Sequence, residues 1–345
     1  MGVFSAASSA GSSIGLVLGG VITEWASWRW VLFINVPIGA AVVLLTPFCL
    51  QESERHRGRF DAVGAVTSVL GMSALAYGFI RAADLGWSDR GAMGTLAAGV
   101  LVLAAFFGYE ARARDPLMPP RLFADRPRSG AYLNMLLLAA VTFALLFLLG
   151  QFLQNARGLG PLAAGLAFLP MSGLLFAFGR LTPRLISRFG ARRLTLTGLP
   201  LIAVATAWLT RTSVHDGYVL GALVPLTLFA VGAGLSFLPL TLTVLSGVRR
   251  EDSGIASGVL QTTQQVGGAL GMAVLVSVYG VAVRHGGMTH GINAAFAVAT
   301  IFVLVAFLIS TALVRPRGPQ EPPPHEAESP DTGRHTGDHA AHTAS

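Results

Sequence analysis

The chain of 345 residues is 53% hydrophobic and only 12% charged, with a mean hydropathy of +0.63. Soluble domains carry about a quarter charged residues, so this composition excludes a water-soluble globule and a disordered chain. The single cysteine, Cys49, excludes a disulfide scaffold. The sequence therefore predicts a polytopic membrane protein.

All 24 basic residues are arginine, and the net charge is +7. In a soluble protein this excess would favour a nucleic-acid partner. Here the arginines lie in short clusters between apolar stretches, so we expect membrane lipid as the partner and no nucleic acid. The lack of lysine, together with abundant alanine and glycine, is typical of a GC-rich bacterial genome and indicates a bacterial inner membrane.

A helix that spans the membrane needs about 20 predominantly apolar residues. Runs of this kind lie at 3–22, 28–50, 61–81, 92–109, 130–152, 161–179, 194–210, 218–246, 254–282 and 292–314. They do not alternate with a period of two, and they are too long for barrel strands. The sequence therefore predicts an all-α polytopic membrane protein with about ten transmembrane helices.

Arginines concentrate in alternate connections between these runs. Most of the 24 lie in the connections around Arg57, Arg121, Arg188, Arg249 and Arg315. Because loops rich in arginine stay on the cytoplasmic side, this alternation predicts a multi-pass plasma-membrane protein with both termini in the cytoplasm.

The two ends of the chain differ from the apolar runs. Residues 315–345 are rich in Pro, Glu, His and Thr, which predicts a disordered cytoplasmic tail. Its histidines are irregularly spaced and have no cysteine neighbours, so we expect a solvated segment rather than a metal site. At the other end, Met1 precedes a glycine-rich helix without the cationic lead of a signal peptide, so we expect the chain to begin within a larger architecture.

The first run carries glycines at fixed intervals, at Gly2, Gly11, Gly15, Gly19 and Gly20. This spacing resembles the antiporter motif of the major facilitator superfamily, found in the fifth helix of its drug:proton exporters, although Leu16 stands where that motif has proline. Glycines so spaced let a neighbouring helix approach closely. The resemblance implies a surface that seals the two halves of a transporter. Ordinary packing of small residues is the alternative.

Later segments carry the same resemblance. Residues 23–39 resemble the turn between the fifth and sixth helices, and within them Arg29 is a candidate ion-pair partner of Glu24. Residues 153–165 resemble the turn between the ninth and tenth helices, and residues 252–271 resemble the start of the thirteenth. The chain is thus similar to the fourteen-helix drug:proton antiporters of quaternary-ammonium and multidrug efflux. The resemblance places its ten runs at helices five to fourteen of that family and implies that the first four helices are lacking.

The resemblance implies a division into four parts. Residues 1–50 would form the last two helices of an N-terminal bundle, 51–115 a central two-helix insertion, 116–314 the C-terminal six-helix bundle, and 315–345 the tail. It implies proton-coupled efflux of amphipathic drugs or metabolites by alternating access around a midplane site, with protons as the coupling ion. An N-terminally truncated, transport-inactive remnant of such a transporter is the alternative.

A cluster of arginines between the sixth and seventh runs resembles the cytoplasmic gate loop of the second bundle. Its members are Arg180, Arg184, Arg188, Arg192 and Arg193. Arginines there can dock on the carbonyls at helix C-termini and so latch a gate. They can equally serve only to keep the loop in the cytoplasm, and the sequence leaves both interpretations open.

Uncharged polar residues within the runs are the candidates for a substrate cavity. They are Asn134, Gln151, Gln154, Gln261 and Gln265. The last two share one helix face with Gln264, because the three follow at i, i+3 and i+4. A cavity for lipophilic cations needs apolar and aromatic lining with a few hydrogen-bonding groups. Hydrogen bonds that merely pack helices together are the alternative.

Signatures of enzymes and cofactor sites do not occur in the sequence. No Cys/His cluster has zinc spacing, and no phosphate-binding loop can form without lysine, so we predict no enzyme activity, no cofactor and no metal site. All 17 acidic residues fall in loops, at helix ends or in the tail. No carboxylate at the centre of a run therefore offers itself as the proton carrier.

Overall fold

A computed structural model of the chain describes residues 11, 15, 18–49, 61–112, 122–213, 216–249 and 252–313. Throughout these residues the regular structure is helical, which confirms the all-α prediction. Gly2, the predicted tail at 315–345 and most of the first predicted run lie outside the described residues.

The helices follow one another without intervening strands in the described residues. The N-terminal part contains α1 (18–25), α2 (Trp28–Phe33), α3 (Asn35–Cys49), α4 (Ala62–Leu85) and α5 (Arg90–Glu110). The remainder contains α6 (Arg126–Gln151), α7 (Pro161–Ala167), α8 (Leu169–Phe189), α9 (Ala191–Leu209), α10 (Val224–Leu245) and α11 (Ser253–Leu313). Short π-helical segments, Phe152–Ala156 and Val219–Leu223, follow α6 and precede α10.

Seven helices in the described part of the chain are long and apolar enough to cross a membrane. The longest, α11, is broken at Gly287, whose φ of 77° divides it into a first limb (253–286) and a second limb (288–313). The limbs correspond to the last two predicted runs. Helix α9 has 19 residues and is not among the seven. The multi-pass helical architecture is confirmed, and the count of ten spans stays a prediction.

The most extensive helix contact joins α6 to α11. Glycines of the first limb permit this contact, because a Cβ on Gly267 would overlap the backbone of Leu136 and a Cβ on Gly271 would overlap Ala140. Small residues at the interface are how helices associate in lipid, where hydrophobic burial gives no driving force between them. Helix α6, with its π-helical extension, is accordingly the most deeply buried of the candidate spans.

Helices α4 and α5 form a hairpin that a side-chain pair closes at its turn. Arg81 Nε donates to Asp89 Oδ2 at 2.6 Å, and Ala92 N donates to the same oxygen at 2.8 Å. The Arg81 hydrogen bond first, and the Ala92 amide second, lower the pKa of Asp89 by stabilising its ionised form. At the start of α4, Asp61 acts as the N-cap by accepting from Gly64 N at 2.9 Å.

The structure corrects the predicted gate loop. Helix α8 continues through Arg180, Arg184 and Arg188, and only Gly190, with a φ of 81°, separates it from α9. Hydropathy ends the apolar run near residue 179, but arginine is a good helix former, so the helix extends beyond its apolar part. Arg192 and Arg193 lie in the first turn of α9. The gate arginines therefore belong to two helices, and a single glycine connects them.

The glycine contact between α6 and α11 predicts opposite effects for two matched substitutions. Gly271→Ala should lower the free energy of unfolding by about 1–3 kcal/mol, because the added methyl overpacks against Ala140. Gly258→Ala, on the same limb with open space around it, should be neutral or stabilising by about 0.5–1 kcal/mol. Unfolding in detergent micelles measures both values. Equal effects would show that the close approach does not determine stability.

Candidate substrate surface

Two of the predicted cavity glutamines lie together on an uncovered face of α11. Gln261 and Gln265 are exposed, and Ser257, one turn earlier, is exposed as well. The opposite side of the same limb packs on α6 through Gly267 and Gly271. Positions four apart lie one above the other on a helix. We call this exposed stripe of Ser257, Gln261 and Gln265 the glutamine face.

An aromatic residue of α6, Phe143, stands beside the glutamine face. It is 42% exposed, although most of α6 is buried. The ring of Phe143 lies next to Gly268 of the first limb, at 2.8 Å from the position of a Cβ there. The surface thus combines amide groups with an aromatic ring, which is the mixture that sites for amphipathic ligands use.

Two other uncovered surfaces of the spans are apolar. On the second limb of α11 the exposed large side chains are Ile301, Leu304, Val305 and Leu308, and α3 exposes Val42, Val43, Leu44, Leu45 and Phe48. Side chains of this kind suit contact with lipid chains. An amide without a hydrogen-bonding partner is costly in hydrocarbon. The glutamine face is therefore suited to water, substrate or another polar surface.

The remaining cavity candidates are not gathered on this face. Asn134 is fully buried and donates through Nδ2 to Ser310 Oγ at 3.0 Å, which joins α6 to the second limb. Gln151 accepts from the side chain of Asn155 at the C-terminal end of α6, and Gln154 is exposed in the π-helical segment that follows. Asn134 therefore makes the packing hydrogen bond that was the alternative interpretation, and its place in a cavity stays a prediction.

Two of the gate arginines contact aromatic rings of their own helix. The guanidinium carbon of Arg180 lies 4.6 Å from the centre of the Phe176 ring, and that of Arg188 lies 5.5 Å from the Phe189 ring. Contacts of this type are weakly stabilising at exposed sites. Arg180, Arg184 and Arg188 follow at intervals of four and so share one face of α8. Their role in gating stays a prediction.

A buried arginine outside the predicted set docks on a helix C-terminus. Arg128, 7% exposed near the start of α6, donates from Nε to Val244 O at 3.1 Å and from Nη2 to Ser246 O at 3.0 Å. These carbonyls lie at the end of α10, where backbone acceptors lack partners within the helix. Four residues on, Tyr132 donates to Ala256 O at 3.1 Å. The start of α6 thus holds the end of α10 and the start of α11 together.

Among the predicted antiporter glycines that the structure describes, Gly20 lies against another helix, α7. A Cβ on Gly20 would lie 2.9 Å from Pro161 O of α7, whereas nothing lies within 4 Å of that position at Gly11, Gly15 or Gly19. Beside this contact, Glu24 accepts a hydrogen bond from Leu162 N at 3.0 Å. Its partner is therefore the backbone of α7 rather than the expected Arg29, whose guanidinium lies over the Trp28 ring.

Comparison with known proteins agrees with this architecture. The sequence profile of the Major Facilitator Superfamily matches residues 1–272, which is most of the chain. The chain belongs to this superfamily. Members of the superfamily are transporters and not enzymes, and the resemblance to the fourteen-helix drug:proton antiporters is consistent with the relatives found.

Similar superfamily proteins have export or resistance in their names. The cephamycin export protein of Amycolatopsis lactamdurans is 38% identical over 81% of this chain and 58% of its own length. The puromycin resistance protein of Streptomyces alboniger is 33% identical over 92% of this chain and 66% of its own length. The tetracenomycin C resistance and export protein of Streptomyces glaucescens is 33% identical, over 80% and 51% respectively. The chain spans about half to two thirds of the length of these relatives.

The Arg128 contact predicts that this superfamily member depends on one arginine for the stability of its C-terminal helices. Arg128→Ala should lower the free energy of unfolding in micelles by about 2–4 kcal/mol, because buried carbonyls lose a charged donor. Arg126→Ala, two residues earlier and exposed, should change it by less than about 0.5 kcal/mol. A similar loss in both variants would attribute the effect to net charge, contrary to the account.

Proposed function

We propose that this chain takes part in the efflux of amphipathic drugs or metabolites and that the glutamine face of α11 lines the substrate path. The observation that carries the proposal is the exposure of Gln261 and Gln265 on a membrane-spanning helix whose other side is packed. Phe143, whose ring lies next to Gly268 of the same limb, supplies apolar and aromatic surface. An amphipathic molecule matches this mixture, because its apolar part stacks while its polar part accepts or donates a hydrogen bond.

The relatives support export as the direction of transport. Two of them carry the word export in their names, for cephamycin and for tetracenomycin C. This chain covers only part of each relative's length, so its substrates and coupling belong to the proposal. We take amphipathic, largely apolar small molecules as the substrate class, since the glutamine face has amides and no charged side chain among its three members.

Alternating access is the mechanism that we propose for this efflux. In it, two helical bundles rock against each other around a fixed midplane site. The contacts of α6 with α10 and both limbs of α11 favour movement of the C-terminal helices as one body. The division into parts at 1–50, 51–115, 116–314 and 315–345 belongs to the same proposal. The contact of Gly20 with α7 would then lie between the two bundles.

Protons are the coupling ion in this proposal, on the strength of the resemblance. Two carboxyl groups lie close together in the structure: Glu110, 3% exposed at the end of α5, and Asp61 at the start of α4. An oxygen of each carboxyl group is within 3 Å of the position that a Gly64 side chain would occupy.

The orientation that we propose places both termini in the cytoplasm of a bacterial cell. It follows from the arginine distribution. Three of these arginines, Arg180, Arg184 and Arg188, lie toward the C-terminal end of α8 beside the Gly190 turn. An impermeant maleimide applied to intact cells should then modify Arg211→Cys and leave Arg188→Cys unmodified, in a Cys49→Ser background. The reverse pattern would overturn the orientation.

Drug efflux tests the proposed substrate path. In cells that express the chain from its natural gene with the upstream sequence, Gln261→Leu with Gln265→Leu should slow efflux of cationic dyes about twofold to tenfold, because the loss of one hydrogen bond to the substrate costs about 0.5–1.5 kcal/mol. Gln264→Leu is the matched control, since Gln264 points toward Met135 of α6, at 3.8 Å from its sulfur. A protonophore should abolish the efflux.

Three outcomes would contradict the proposal. Unchanged efflux in the double variant would remove the glutamine face from the substrate path. Efflux that persists with the protonophore would remove proton coupling. Dye accumulation equal to that of cells without the gene would support the transport-inactive alternative.

A further inference from the structure

The C-terminal turn of α1 contains an acidic side chain that its own helix does not stabilise. Glu24 lies one residue before the end of α1, which spans 18–25. The C-terminus of a helix carries partial negative charge, so a carboxylate is unfavourable there. The side chain instead reaches the N-terminus of α7, where its Oε2 accepts from Leu162 N at 3.0 Å.

The N-terminus of α7 in turn has no cap of its own. Its N-cap residue is Gly160, which has no side chain to accept a hydrogen bond, and its first residue is Pro161, which has no amide hydrogen. The amide of Leu162 is therefore the first donor of α7. An acceptor at that amide is what a Ser, Thr or Asp cap supplies in other helices. Here Glu24 supplies it from a helix 138 residues away in the chain.

The backbones of α1 and α7 also approach closely at this place. A Cβ on Gly20 would lie 2.9 Å from Pro161 O and 3.0 Å from Leu162 Cα. Glu24 is one turn of α1 beyond Gly20, so the backbone contact and the hydrogen bond lie side by side. The two helices touch without intervening side chains, and Glu24 provides the polar part of the contact.

We propose that Glu24 is a positioning residue that latches α1 to α7 by capping α7, and that this latch holds the outer side of the transporter closed. The proposal rests on the alternating-access function proposed above. Opening toward the outside requires α1 and α7 to separate, and the cap is lost when they do. The hydrogen bond therefore stabilises the closed arrangement relative to the open one.

Cysteine labelling measures this equilibrium directly. The reporter is Leu162→Cys, a half-buried position where α7 meets α1, in the full chain with Cys49→Ser, and the probe is an impermeant maleimide applied to intact cells. Glu24→Ala should raise the labelling rate about threefold to tenfold, as expected for the loss of a helix cap. Glu24→Asp keeps the charge but shortens the reach and should behave like Glu24→Ala.

Glu24→Gln distinguishes the hydrogen bond from the charge. Its amide oxygen can still accept from Leu162 N, so the labelling rate should stay within about twofold of the parent rate. A second reporter, Arg211→Cys between α9 and α10, controls for general loosening and should label equally in all variants. The proposal is overturned if Glu24→Ala leaves the Leu162→Cys rate unchanged, or if Glu24→Gln raises it as much as Glu24→Ala does.

Dye efflux of the same cells separates this proposal from the function on which it rests. Increased labelling in Glu24→Ala together with no dye efflux in the parent would support the latch and overturn the proposed function. Dye efflux in the parent with identical labelling in every Glu24 variant would support the function and overturn the latch.

Discussion

Close approach of α6 and the first limb of α11 is the constraint on which the rest of the described fold depends. In lipid there is little hydrophobic gain from bringing two helices together, so contact must come from packing of small residues and from hydrogen bonds. Gly267 and Gly271 allow the backbones to touch. Because that side of α11 packs on α6, Gln261 and Gln265 point away from α6 and remain uncovered. The candidate substrate surface is thus a consequence of the packing on the opposite side.

Hydrogen bonds from the first turns of α6 extend this contact to neighbouring helices. Arg128 reaches the end of α10, Tyr132 the start of α11, and Asn134 the second limb. Each donor meets an acceptor on a different segment, so three segments are tied to one helix. A body held in this way can move as a unit, which alternating access requires of each bundle. In the latch that we propose, the contact between α1 and α7 determines whether the outer side is closed.

The sequence predicted what depends on local pattern and missed what depends on distant partners. The apolar runs and the shared face of Gln261 and Gln265 follow from residue spacing alone, and the structure shows helices and an exposed glutamine face there. The continuation of α8 through Arg180 was missed because hydropathy marks the membrane boundary and not the helix end. The partners of Arg128 and Glu24 lie 116 and 138 residues away, so no local pattern could reveal them.

Water access at the glutamine face tests the central claim most directly. With Cys49→Ser as background, Gln265→Cys and Leu304→Cys place a thiol on two exposed positions of α11, one on the glutamine face and one on the apolar surface of the second limb. A charged methanethiosulfonate should modify Gln265→Cys about tenfold faster, because the reagent is excluded from hydrocarbon. Equally slow modification of both thiols would mean that the glutamine face contacts lipid or protein, and would contradict the account.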